Sequence, residues 1–117
     1  MKVTLLAVVD PAQPSSSFLK PKKGNHYVAV ELRLTNVGEA NYNDSPSNGA
    51  VLIDKSDFQY ESSLGEVEPD LGSPIIAPGD SRVGFITFEV PDGTKLRLFQ
   101  FTLESGFGPQ TAQWVLS

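Results

Sequence analysis

The stretch from Gly24 to Gly38 alternates apolar and polar residues and then ends in the turn sequence Asn-Val-Gly. Successive side chains of a β-strand point to opposite faces of a sheet, so this alternation predicts a long, half-buried strand. The pattern identifies an architecture and no chemistry. The residues predicted to face the core are Val28, Val30, Leu32 and Leu34.

The rest of the chain is also divided into short apolar segments by turn sequences. Pro78-Gly79 is typical of a type II turn, because proline presets the first φ and glycine accepts the second. No amphipathic helix is apparent, so the fold class predicted is all-β: an immunoglobulin-like antiparallel β-sandwich of about 7–9 strands. The clearest further strands are expected at residues 2–9, 82–90, 95–104 and 110–116.

The segments 10–17 and 62–73 are predicted to be loops, since proline, glycine and serine disfavour regular pairing there. Phe18-Leu19 is expected to form a short apolar plug between the first loop and the long strand. The path of the chain between residues 40 and 75 is the part that the sequence specifies least.

Composition limits the possible classes of protein. A chain of 117 residues predicts a single domain spanning residues 1–117. With no cysteine, the chain has no disulfide and no thiolate site. The net charge of -5 and the lack of a strong basic patch argue against a nucleic-acid partner. The apolar run 3–9 is too short to cross a bilayer, so no direct membrane insertion is expected.

Two blocks carry a resemblance to a known family. Residues 21–38 contain a glycine, a strand and then Asn-Val-Gly, and residues 77–91 contain Pro-Gly followed by a strand with glycine, phenylalanine and a final Val-Pro. They resemble a family of bacterial envelope and lipoprotein-associated domains of unknown function. This resemblance implies an immunoglobulin-like sandwich similar to a small secreted mycobacterial antigen, and an extracellular or cell-envelope location. It supplies no catalytic residue.

Catalysis has little support in the sequence. His26 is the only histidine, and no serine lies in a nucleophile-elbow context. One histidine without cysteine is a poor basis for a zinc site. We therefore expect no enzyme activity, no catalytic residue and no cofactor.

Binding through loops is the function that we expect. Lys20, Lys22 and Lys23 form a small basic group that suits an anionic wall polymer, and Phe107 lies between two glycines, where a partner can reach it. These four residues are the predicted partner-binding residues of a non-catalytic interaction or accessory module. The expected partner is a protein or a cell-wall polymer.

Two alternatives stay open. A carbohydrate-binding module would need a flat platform of exposed rings, for which Tyr42, Tyr60 and Phe107 are the candidates. A calcium-binding sandwich would use the acidic stretch after residue 53, although its spacing matches no known calcium loop. Free strand edges allow either a monomer or an edge-paired dimer. The weak metal candidates are Asp54, Asp57 and Glu61.

Overall fold

The computed structural model describes residues 1–63, 67–106, 108 and 110–116. Within these ranges the chain forms nine β-strands and two short 3₁₀ turns, and none of it is α-helical. No helical segment there has the length and apolarity needed to span a bilayer. The 3₁₀ turns are Pro46–Gly49 and Glu104–Gly106. The strands are β1 (Lys2–Ala12), β2 (Asn25–Thr35), β3 (Tyr42–Asn43), β4 (Ala50–Asp54), β5 (Gln59–Glu61), β6 (Ile75–Ile76), β7 (Ser81–Pro91), β8 (Leu96–Thr102) and β9 (Thr111–Val115).

The strands form two main antiparallel sheets. One has the order β1-β2-β7 and the other β5-β4-β8-β9, while β3 and β6 pair with each other alone. The long alternating strand of the sequence is β2, and it lies in the centre of its sheet. This arrangement confirms the predicted all-β antiparallel sandwich.

The core lies between the two sheets. The four predicted core residues of β2 are fully buried, together with large side chains of β7 and β8. Phe88 of β7 meets Phe99 of β8 edge to face, with ring centroids 6.4 Å apart, and this contact joins the two sheets. The half-buried Trp114 of β9 also packs against Phe99, with ring centroids 5.5 Å apart.

Residues 69–71, which we call the crossing segment, lie along the open edge of β7. The backbone N–H of Leu71 donates to Phe85 O at 2.9 Å, and the N–H of Phe85 donates to Pro69 O at 2.8 Å. Nearby, Val67 packs on the outer face of the first sheet against Tyr27. The predicted loop 62–73 therefore shields part of the sheet, because its described residues lie directly against β7.

Two proline-containing segments show where the sequence rules hold and where they fail. The Pro78-Gly79 turn is confirmed: Gly79 has a φ of 86° and Asp80 N–H donates to Ala77 O at 3.0 Å. In contrast, the strand expected to stop at residue 9 continues to Ala12. It does so through a register break between Val9 and Ala12, which lets it pass a proline that an unbroken ladder would exclude.

Candidate functional site

Three loops meet at one end of the sandwich, and we call this region the lysine end. They are residues 13–24 after β1, 55–58 after β4 and 92–95 after β7. The strand pairings require this, because β1 and β7 both run antiparallel to β2, and β8 starts where β4 ends. Backbone hydrogen bonds link the loops: Asp92 N–H donates to Gly24 O and Lys55 N–H donates to Lys95 O, both at 2.8 Å.

Five of the six lysines of the chain lie at this end. All five are exposed, and none forms an ion pair within the part of the chain that the structure describes. Lys20, Lys22 and Lys23 are already close together in the sequence. Lys55 and Lys95 join them because the β4–β5 and β7–β8 turns fold to the same end. The five are Lys20, Lys22, Lys23, Lys55 and Lys95.

Local acids at the lysine end are occupied by other groups. Glu89 accepts hydrogen bonds from the Asn25 side chain at 2.8 Å and from Lys22 N–H at 3.2 Å. Asp57 pairs with Arg97 at 3.0 Å. None of the five lysine amines forms an ion pair with these carboxylates, so among the described residues each lysine keeps its charge without a salt-bridge partner.

His26 of β2 links β1 to the loop 92–95. Its Nε2 lies 2.8 Å from Asp10 Oδ1 and its Nδ1 lies 2.9 Å from Asp92 Oδ1. Since a neutral imidazole has one donor and one acceptor, both contacts are favourable together only when both nitrogens carry protons or one carboxyl is protonated. Carboxylate oxygens thus engage both nitrogens of the His26 ring.

Asp54 organises the β4–β5 turn. Its Oδ1 accepts the backbone N–H groups of Ser56 at 2.8 Å and Phe58 at 3.0 Å, and its Oδ2 accepts the Tyr60 hydroxyl at 2.8 Å. Burial by itself raises the pKa of Asp54, but these hydrogen bonds, with the charge of Arg97, hold that pKa below its usual value. The carboxylate thus fixes the turn.

The metal candidates have separate roles. Asp54 is engaged in its turn, Asp57 pairs with Arg97, and Glu61 lies exposed on β5. No group of three or more histidine, aspartate or glutamate side chains suited to a metal occurs among the described residues. The calcium alternative thus gains no support from their placement.

Two phenylalanines project from the lysine end. The Phe18 residue is 95% exposed, so the expected apolar plug is wrong at this residue. Its backbone is held by a turn in which Ser16 Oγ accepts Phe18 N–H at 3.2 Å. Phe58 immediately precedes β5 and is 66% exposed. The neighbouring serines and lysines were the available sequence signal for the exposure of Phe18, since Leu19 is the only large apolar residue beside it.

The described residues do not assemble the ring platform that the carbohydrate-binding alternative requires of Tyr42 and Tyr60. Tyr42 and Tyr60 are half-buried against the core, and their hydroxyls donate to Asp44 and Asp54. Burial raises the pKa of Tyr42 above its usual range, and the negative charge of Asp44 adds to that effect. Phe107 lies outside the described residues.

Comparison with curated proteins finds no significant match, and comparison with solved structures finds none either. A family model does match, over residues 1–109, and it includes both strand blocks and all three loops of the lysine end. The chain therefore belongs to the family described as a domain of unknown function, DUF4352.

Proposed function

We propose that this chain is a non-catalytic interaction module that presents its lysine end to a negatively charged protein or cell-wall polymer. The observation that carries the proposal is the gathering, at one end of a protein whose net charge is -5, of five exposed lysines that form no ion pair with the described residues. Such a distribution favours an anionic partner at that end alone.

The charge is unevenly distributed over the molecule. Outside the three loops of the lysine end the basic side chains are Lys2, Arg33, Arg82 and Arg97, whereas eleven of the described acidic residues lie there. An anionic partner is repelled by this larger surface and attracted to the lysine end. The asymmetry therefore orients the partner before contact and raises the association rate.

Phe18 and Phe58 supply the apolar part of the surface. Large aromatic side chains contribute much of the affinity of interfaces, because they bury a large area with few rotatable bonds. Both rings project beside the lysines, on loops whose backbones are fixed by Ser16 and Asp54. Fixed loops reduce the entropy lost on binding.

The proposal also covers where the module acts, outside the cell or in its envelope, and that it catalyses no reaction. The resemblance of the two strand blocks to bacterial envelope domains supports a site of action outside the cell or in its envelope. The occupied ring of His26 supports a module without catalysis, since its two nitrogens already contact Asp10 and Asp92.

A salt titration with matched variants tests the proposal. The probe is an anionic cell-wall polymer fraction, with an acidic protein fraction in parallel, and affinity is measured as ionic strength rises. Lys22→Gln with Lys23→Gln is compared with Lys2→Gln with Arg33→Gln, which removes the same charge elsewhere. We expect the first pair to weaken binding about tenfold, equal to about 1.4 kcal/mol, and the control to change it little. Equal losses in both variants contradict the proposal.

A carbohydrate-binding module is the second candidate, because Phe18 and Phe58 are exposed rings able to stack on a sugar. Its partner is a neutral polysaccharide, so binding is insensitive to salt, lost with Phe18→Ala and retained in the lysine variant. Binding that falls steeply with salt favours the first candidate instead.

A further inference from the structure

The two main sheets have four outer strands, and three of them are protected against pairing with another chain. β1 contains two register breaks, between Leu5 and Ala7 and between Val9 and Ala12. β7 is covered by the segment that bonds to Phe85. Bulges and covering segments are common ways to block edge-to-edge association.

β5 is protected by its length and charge. It has only three residues, Gln59–Glu61, and it ends on an exposed glutamate. A strand this short offers few backbone groups to a partner, and its charge disfavours close approach of another acidic chain.

β9 has none of these protections. Thr111–Val115 contains no charged residue and no proline, and it pairs with β8 without a register break. Its other side has no strand partner in the described part of the chain. Val115 is 73% exposed on the same strand. A straight, uncharged, partly apolar edge is a surface suited to strand addition.

The hydrogen-bond pattern shows which backbone groups of β9 face outward. Leu116 N–H donates to Arg97 O at 2.9 Å, so residue 116 points its backbone toward β8. Along an antiparallel strand this direction alternates, which directs the N–H and C=O groups of Thr111, Gln113 and Val115 to the open edge.

We propose that two copies of this chain pair through β9, antiparallel about a two-fold axis at Gln113. In this register Gln113 faces its own copy, Thr111 faces Val115, and the small Ala112 faces the half-buried Trp114. Each outward N–H and C=O then finds a partner, and the four-stranded sheets join into one of eight strands. The register is self-complementary and places no like charges opposite each other.

Sedimentation over micromolar to millimolar concentrations tests the proposal. We expect the mean mass to rise toward that of a dimer, and Gln113→Lys to remove the rise because two lysines then face each other. The control is Val9→Lys on β1, which leaves the dimer intact, and thermal unfolding checks that both variants fold. A wild-type chain that stays monomeric throughout, or a dimer that survives in Gln113→Lys, overturns it.

Cross-linking tests the register itself, using the absence of native cysteine. A hydrogen-bonded antiparallel pair has its Cα atoms about 5.5 Å apart, a distance that suits a disulfide. Gln113→Cys is therefore expected to form a covalent dimer on mild oxidation, well ahead of Val9→Cys. Equal cross-linking of the two variants contradicts the β9 register.

Discussion

At the scale of single residues, Asn36 holds together the end of the molecule opposite the lysine end. Its side-chain Nδ2 donates to Ala40 O and Ile76 O, both at 2.8 Å, and its Oδ1 accepts Gly38 N–H at 2.9 Å. The residue is only 4% exposed. From the sequence, this asparagine indicates only a tight turn. The structure gives its side-chain amide a second role, because it forms hydrogen bonds with three separate backbone groups.

Replacing this amide by a carboxyl group tests that role. Asn36→Asp keeps the shape but removes both donors, which leaves the buried Ile76 carbonyl oxygen and the part-buried Ala40 carbonyl oxygen without this partner. We expect the free energy of unfolding to fall by about 2–3 kcal/mol, measured by urea denaturation at neutral pH. The control is Gly38→Ala, beside Asn36 Oδ1. A loss below about 0.5 kcal/mol, the usual size for a surface change, argues that the amide is dispensable.

Asp54 gives the fold a dependence on acid. Its pKa is lower in the folded protein than in the unfolded chain, so its charged form stabilises the fold above the unfolded value of about 3.9. That contribution is lost as the pH falls below this value and through the folded pKa. We expect Asp54→Asn to be less stable than wild type at neutral pH, with the gap closing in acid. A gap of constant size down to the acid transition contradicts the assignment.

At the scale of elements, a glycine allows the crossing segment to sit on β7. A Cβ at Gly84 would lie 2.8 Å from Leu71 Cα and 2.9 Å from Leu71 N, too close for either backbone to remain in place. This contact explains the glycine of the second strand block. The segment covers the edge of β7, so the close approach also keeps that edge closed.

Adding a methyl group at this position tests the contact. We expect Gly84→Ala to lower the free energy of unfolding by about 1–3 kcal/mol, the usual range for overpacking. Hydrogen exchange should rise first at Leu71 N–H, because the segment is displaced from β7. Unchanged exchange at Leu71 would show that the crossing segment does not depend on Gly84.

The elements differ in how well the sequence predicts them. β2 and β7 each span eleven residues, so their alternation is long enough to detect. β3 and β6 have two residues each, and no period is visible in so short a strand. Their pairing depends on contacts distant in sequence, as when Tyr42 pairs with Ile76.

At the scale of the whole molecule, the candidate site is a product of topology. Lys20, Lys22 and Lys23 are neighbours in sequence and could be predicted as one group. Lys55 and Lys95 join them only because the β4–β5 and β7–β8 turns fold to the same end. A local sequence pattern cannot predict such proximity between residues that are far apart in the chain. We predicted that nucleic acid is not a partner because the sequence has no strong basic patch. The five lysines that the fold brings together do not test this point, so it stays a prediction.

An amide NMR titration with inorganic polyphosphate, a simple polyanion, tests whether the lysine end binds anions. We expect the shifted resonances to fall in residues 13–24, 55–58 and 92–95 and to return to their free positions as salt is added. Residues of β3 and β6 at the opposite end should not move. Shifts that spread over the acidic surface, or no shifts at low salt, would contradict the claim that the lysine end binds anions.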